Sequence, residues 1–368
     1  MDHMIYLDNG ATSFHKPTQV RRAVLRAIET CANPGRGGYP AAMAAAEQVY
    51  ACRETAGKLF SCQPEQVVLT ANCTHGLNLA IATLVQPGDR VLISGFEHNA
   101  VVRPLHALGA RTVVAGRQLF DWADALSQWE AALKTRPKAA IFTHVSNVFG
   151  YVLPVAEMAE LCRQYGVPFA MDAAQSAGML PIDFEALGAE FIAMPGHKGL
   201  LGPQGTGLLL CRSTPKPLLS GGTGSNSRDA VMPDFLPDGA EAGTLNVPGI
   251  AGLEAGMRYV NRTGLERIFH REQREAQFCG AALKELGFTV FTGKHQSGTL
   301  SFMGRMDCQD LAAALAGQGI CVRAGLHCAP LAHESAGTLE TGTVRLSFGH
   351  DASRAQSMAL LRAVTALR

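Results

Sequence analysis

The chain has 368 residues, 47% of them hydrophobic, and a formal net charge of +1. That length builds a large core spread over two or three units, and the near-neutral balance argues against nucleic acid or an anionic membrane as the main partner. No apolar run reaches membrane-spanning length.

The opening Met1-Asp-His-Met-Ile-Tyr-Leu lacks the basic-then-apolar order of a secretory signal, so a cytoplasmic protein with reduced thiols is expected. The ten cysteines form no Cys-x-x-Cys pair, and the position four after His333 is Gly337 instead of histidine. No metal site is therefore expected.

Residues 1–15 read as an N-terminal arm, after which Lys16-Pro17 opens a helix to about Cys31. The turn residues of 33–39 mark a loop carrying the cation Arg36, and a second, alanine-rich helix runs over 41–60. From Gln66 apolar strands at 67–69, 90–93, 112–114, 139–142, 169–171, 191–193 and 207–210 alternate with helical stretches. Strands this apolar are buried on both faces, which predicts a mainly parallel seven-stranded α/β sheet covered by helices.

After Arg212 the rhythm breaks into a glycine-rich segment that predicts a long loop. Helices are then expected over 248–261, 265–286, 308–317 and 353–367, with strands at 289–291, 299–302, 321–323 and 343–348. This is the pattern of a small α+β unit, so the division expected is 16–247 for the large unit and 248–368 for the small one.

The chemistry-bearing residues cluster at strand ends. Lys198, in Gly196-His-Lys-Gly199, is delivered by an apolar strand to a glycine-flanked turn where a ligand can approach the backbone. A lysine there can form a Schiff base with a carbonyl cofactor such as pyridoxal phosphate, which also requires an acidic partner for its ring nitrogen. Asp172, closing the strand before Ala-Ala-Gln175, supplies one where open α/β sheets place their ligands. Residues 69–76 lead from a strand into a helix expected over 77–84, and Cys73 and Thr74 would hold a phosphate on the backbone N–H groups at that helix start. His98 and Asn147 follow two more strand ends, so Thr74, His98, Asn147, Asp172, Gln175, His197 and Lys198 converge on one sheet edge, as a pocket requires.

Together with Leu-Asp8-Asn9-Gly-Ala-Thr, Glu241-Ala-Gly-Thr244 and Arg323-Ala-Gly-Leu-His-Cys328-Ala-Pro, these motifs resemble the cysteine desulfurase and selenocysteine lyase family, in the class V aminotransferase group of fold-type I enzymes. The resemblance spans nearly the full length. It implies pyridoxal phosphate anchored on Lys198, with Asp172 on the pyridine nitrogen, His98 stacked on the ring and Gln175 at the ring hydroxyl. It further implies Cys73, Thr74 and His197 at the phosphate, and Thr244 reaching the phosphate of a neighbouring subunit in a homodimer. Arg345 would take the carboxylate of an L-cysteine substrate, with Asn9 and Asn147 nearby.

Cys328 would receive the substrate sulfur as a persulfide while alanine is released, its thiolate favoured by Arg323 and His327. Two departures stand out: Pro195 replaces a small hydroxyl residue before Gly-His-Lys, and Cys73 sits where threonine is more familiar. The short interval from Cys328 to Arg345 resembles the compact-loop branch, which suggests that a sulfur-acceptor protein takes part. Selenocysteine, or an S-substituted cysteine, is the alternative substrate on the same site, and a non-catalytic scaffold is the remaining alternative.

Overall fold

The computed structural model describes residues 4–35 and 37–367; Arg36, read above as a loop cation, lies outside the described residues. The first half runs β1 (Ile5–Tyr6), α1 (Thr18–Thr30), α2 (Pro40–Phe60), β2 (Val67–Thr70), α3 (Cys73–Leu84), β3 (Arg90–Ser94), α4 (Asn99–Ala107), β4 (Arg111–Ala115), α5 (Trp122–Leu133), β5 (Ala139–Thr143) and α6 (Val155–Gln164). It continues with β6 (Phe169–Asp172), α7 (Phe184–Leu187), β7 (Phe191–Pro195), β8 (Gly207–Cys211), α8 (Val247–Thr263) and α9 (Leu265–Glu285). The chain closes with β9 (Thr289–Phe291), β10 (Thr299–Met303), α10 (Cys308–Gly317), β11 (Ile320–Cys321), β12 (Arg323–Gly325), α11 (Pro330–Ala336), β13 (Thr343–Ser347) and α12 (Arg354–Ala366).

The large sheet has the order β2-β8-β7-β6-β5-β3-β4. Strands β4, β3, β5, β6 and β7 are parallel, and β8 alone runs against its neighbours β7 and β2. Both faces are buried, which is why the strands read as continuous apolar runs. Phe142, Met171, Ile192 and Leu210 point to one core with Trp129 and Met158, while Ile141, Ala170, Phe191 and Leu209 point to the other with Leu77 and Val101. The period of two along each strand assigns every side chain to one of these cores.

The second unit is an antiparallel sheet, β12-β13-β10-β9, whose core joins Leu300, Phe302, Val344 and Leu346 to Cys279 and Leu283 of α9 and Leu360 of α12. The N-terminal arm belongs to it by contact: β1 pairs with β11, and Leu7 is fully buried in its core.

Three expectations change. The division after residue 247 would give α8 to the small unit, yet Val247, Ile250, Leu253 and Met257 lie in the core of the large one. We propose that the units meet at Gly264, between α8 and α9. The strand expected over 321–323 is two strands, because β11 pairs with β1 and β12 pairs with β13. Finally, α11 occupies residues where no helix was expected.

Candidate active site

Because β2 and β7 both run against β8, the carboxyl ends of β2, β3, β5, β6 and β7 all open on the same edge. There a cavity of ≈ 100 Å³ is lined by Cys73, Thr74, His98, Asn147, Asp172, Gln175, His197 and Lys198. These are the seven residues expected to converge, together with Cys73. Lys198, Gln175 and Asn9 also border an adjoining cleft of ≈ 30 Å³.

Lys198 sits in a tight turn after β7, closed by bonds from Leu201 N to Lys198 O at 2.9 Å and from Gly202 N to Gly196 O at 2.7 Å. A Cβ on Gly196 would strike Thr206 and one on Gly199 the Ala177 carbonyl, so both flanking positions need glycine. Burial pushes the ammonium of Lys198 below its ordinary value, and Asp172 opposes that shift. Asp172, 3% exposed, accepts at Oδ1 from Ala174 N at 2.8 Å and from Cys73 Sγ at 3.4 Å. Its Oδ2 has no hydrogen bond among the described residues.

Asn72 caps α3, its Oδ1 accepting from His75 N at 2.9 Å. The N–H groups of Cys73 and Thr74 stay without partners among the described residues, and the Thr74 side chain is exposed. The expectation for Cys73 is corrected in part: its buried thiol points to Asp172, leaving only its backbone N–H for a phosphate. His197 lines the cavity while its Nδ1 meets Thr12 Oγ1 at 3.0 Å; burial, with Lys198 and Lys16 nearby, lowers it to about 4. Its carbonyl is held by Ser13 Oγ at 2.9 Å and Lys16 Nζ at 2.9 Å, contacts that sequence reasoning did not find.

His98 is the N-cap of α4, and its Nδ1 accepts from Ala100 N at 3.0 Å, which puts the ring proton on Nε2. Behind it Glu97 is fully buried, accepting at Oε1 from Ser94 Oγ and from Thr143 N at 2.9 Å, with Oε2 unpartnered. Asn147 donates from Nδ2 to the His327 carbonyl at 2.8 Å, and its Oδ1 is buried without a partner. Gln175 donates to the Gly10 carbonyl at 2.9 Å.

The loop between β12 and α11 bears Cys328, the one exposed cysteine; all ten are free. Arg323 Nη2 lies 4.0 Å from its sulfur. The loop is fastened to the large unit at two points, where Asn99 N donates to the Cys328 carbonyl at 2.7 Å and Asn147 reaches the His327 carbonyl. His327 and Cys328 are both left-handed, with φ of 52° and 57°, a strain on the order of 1–3 kcal/mol each. His327 does not electrify the thiol as expected. Its ring is 4% exposed, turned toward His333, and burial pushes it down to about 3, so at neutral pH it carries no charge.

Arg345, 1% exposed in β13, donates from Nη1 to the Asn147 carbonyl at 3.0 Å and pairs through Nη2 with Asp8, leaving Nε unpartnered. The guanidinium expected to wait for a substrate carboxylate already holds one from the chain. Asn9 donates to the Ser347 carbonyl at 3.1 Å beside the cleft. Thr244 is exposed and lies apart from this cavity, bordering one of ≈ 700 Å³ with Tyr50 and Thr223.

Comparison with known proteins adds four findings. Residues 5–360 match the model of the family described as Aminotransferase class-V. A probable cysteine desulfurase of Methanothermobacter thermautotrophicus is 35% identical over 361 residues, covering 94% of this chain and 90% of the relative. The apo structure of a cysteine desulfurase from Thermococcus onnurineus NA1 has a TM-score of 0.91 at 30% identity, covering 100% of this chain and 95% of that one. The cysteine desulfurase CsdA (S-sulfonic acid) from Escherichia coli has a TM-score of 0.85 at 26% identity, covering 99% and 94%.

Proposed function

The chain belongs to the aminotransferase class V family, and from that premise we propose that it is a pyridoxal phosphate-dependent cysteine desulfurase, converting L-cysteine to L-alanine with the sulfur taken onto Cys328 as a persulfide. One observation carries the reading. Lys198 and Asp172 line a single cavity, and the one exposed cysteine stands on a loop bonded to that cavity's wall through Asn99 and Asn147.

The residues present fit the cofactor. Asp172 Oδ2 is available for a ring nitrogen; the free N–H groups of Cys73 and Thr74, the Thr74 hydroxyl and His197 suit a phosphate; and the His98 ring borders the space between them. Pyridoxal phosphate bound there supplies a carbonyl that captures the substrate amine and a ring that accepts electrons from its bonds.

Lys198 Nζ is the covalent anchor; burial favours its neutral, nucleophilic form, and once displaced it moves the substrate α-proton. Asp172 would hold the ring nitrogen and keep it protonated, with His98 and Gln175 as the other side chains that would hold the ring. Arg345, with Asn9 and Asn147, binds the substrate carboxylate, which competes with Asp8 for the guanidinium. Arg323 stands 4.0 Å from the Cys328 sulfur and orients it. The Cys328 sulfur, as thiolate, would attack the substrate sulfur: an S–S bond forms as the C–S bond breaks, the electron pair leaves with the substrate carbon, and protonation there yields alanine.

The enzyme works as a cytoplasmic homodimer, with Thr244 of each copy reaching the other's phosphate site, and an acceptor protein collects sulfur from the exposed Cys328. Support for the dimer comes from Met43, Tyr50, Leu219 and Val231, all large, apolar and exposed. Among the described residues, no helix is long and apolar enough to cross a membrane.

Single-turnover mixing of the holoenzyme with L-cysteine tests the assignment. Stoichiometric alanine together with persulfide on Cys328, trapped by mass spectrometry, is expected. Alanine or a spectral change of the cofactor without that persulfide would overturn it in favour of a lyase acting on another sulfur or selenium amino acid.

A further inference from the structure

A chain of buried side chains ties α11 to the cysteine loop. Thr338 Oγ1 lies 2.7 Å from His333 Nδ1, His333 Nε2 lies 3.5 Å from His327 Nδ1, and His327 Nε2 lies 3.3 Å from the Arg323 carbonyl oxygen. Their exposures are 2%, 0% and 4% for Thr338, His333 and His327. A carbonyl only accepts, so it sets the direction of every proton behind it. His327 must donate from Nε2 and accept at Nδ1; His333 must therefore donate from Nε2 and accept at Nδ1; and the Thr338 hydroxyl donates. A second proton on His327 would set its Nδ1–H against the Nε2–H of His333, and one on His333 would turn the Thr338 hydroxyl from donor to acceptor; burial pushes the rings down to about 3 for His327 and about 4 for His333.

The far end of this chain is Arg323, the residue whose guanidinium approaches the Cys328 sulfur. His327 and Cys328 are consecutive non-glycine residues in the left-handed region, a backbone that persists only where its surroundings over-determine it. Asn99 and Asn147 hold the two carbonyls of that pair and so fix how the loop sits on the large unit. The imidazole chain instead fixes the separation of the loop's own ends, since it joins the ring of His327 to the carbonyl of Arg323.

We propose that Thr338, His333 and His327 are positioning residues whose one-way hydrogen-bond chain clamps the turn from Arg323 to Cys328 and holds the guanidinium against the cysteine sulfur. Its consequence for turnover rests on the desulfurase reading; its effect on the thiol does not.

Thr338→Val deletes the hydroxyl at nearly constant shape, leaving His333 Nδ1 without a donor, and Thr338→Ser restores it. Three quantities are measured on the holoenzymes: alkylation of Cys328 by iodoacetamide, resolved by mass spectrometry; L-cysteine binding, from the cofactor absorbance; and persulfide formation in a single turnover. Thr338→Val is expected to slow alkylation and persulfide formation about tenfold with binding unchanged, and Thr338→Ser to stay within about twofold of wild type.

Wild-type alkylation in Thr338→Val overturns the clamp, as does an equal loss in Thr338→Ser, which would mark packing alone. Should Thr338→Val fail to fold, His333→Phe keeps the ring and removes both nitrogens; it is expected to show the same loss, and wild-type alkylation there also overturns the proposal. If wild type forms no persulfide but the alkylation pattern holds, the desulfurase reading fails and the clamp stands.

Discussion

Glu97 illustrates how burial sets chemistry residue by residue. With no cation beside it and one oxygen unpartnered, burial raises its carboxyl from 4.5 to about 8, against the hydrogen bonds from Ser94 and Thr143. The folded chain therefore binds a proton there that the unfolded chain gives up. Its stabilisation is fully present below 4.5 and is lost as pH rises through about 8. Glu97→Gln, which cannot ionise, should flatten that slope; thermal unfolding across the window should show wild type losing on the order of a few kcal/mol relative to the variant. Parallel Tm curves would remove the titration from Glu97. Lys198→Ala belongs to the same scale: it should abolish the visible absorbance of the bound cofactor, and persistence of that band would discard the anchor. Strand-end position was enough to point to Lys198 and Asp172. The sequence could not show that Arg345 is occupied by Asp8 or that the Cys73 thiol turns to Asp172, since both depend on contacts across 337 and 99 positions.

At the scale of elements, the proposed phosphate site lies at the start of α3, whose first turn is organised by the Asn72 cap. Asn72→Ala should cost about 1 kcal/mol of stability and weaken cofactor binding, because the cap orients the free N–H groups beside it. Titration of the apo variant with pyridoxal phosphate checks this, and unchanged affinity would mean that the helix start is not the phosphate site. The inner strands of the large sheet were legible because burial on both faces leaves an unbroken apolar signature, as in Ala139–Thr143. Helix α11 was not legible. It has seven residues, begins at Pro330, and places only Ala332 and His333 in the interior, too little for a periodic pattern. The proposed shift of the boundary past α8 has a related reason: its apolar face is plain in the sequence, but which core receives it is decided by packing.

For the whole molecule, the question is what covers α2 and the segment after β8. Met43 and Tyr50 are seven residues apart, two turns of α2, and so lie on one face; they are 49% and 51% exposed. Tyr50 borders the same large cavity as Thr244, which does not line the cavity that holds its own chain's Lys198. The proposed homodimer would account for both observations by burying the apolar face and bringing Thr244 to a second active site. Met43→Glu combined with Tyr50→Glu puts two charges into that contact. With about 1.5–3 kcal/mol lost for each large apolar side chain no longer buried, dimerisation should weaken at least about a hundredfold. Sedimentation should then show monomer, and alanine release should fall with it, because each site loses the hydroxyl supplied by the other copy. Thr244→Ala separates assembly from chemistry: it should leave the dimer intact and lower only the affinity for the cofactor. A monomeric double variant with wild-type turnover would show that each chain completes its own site.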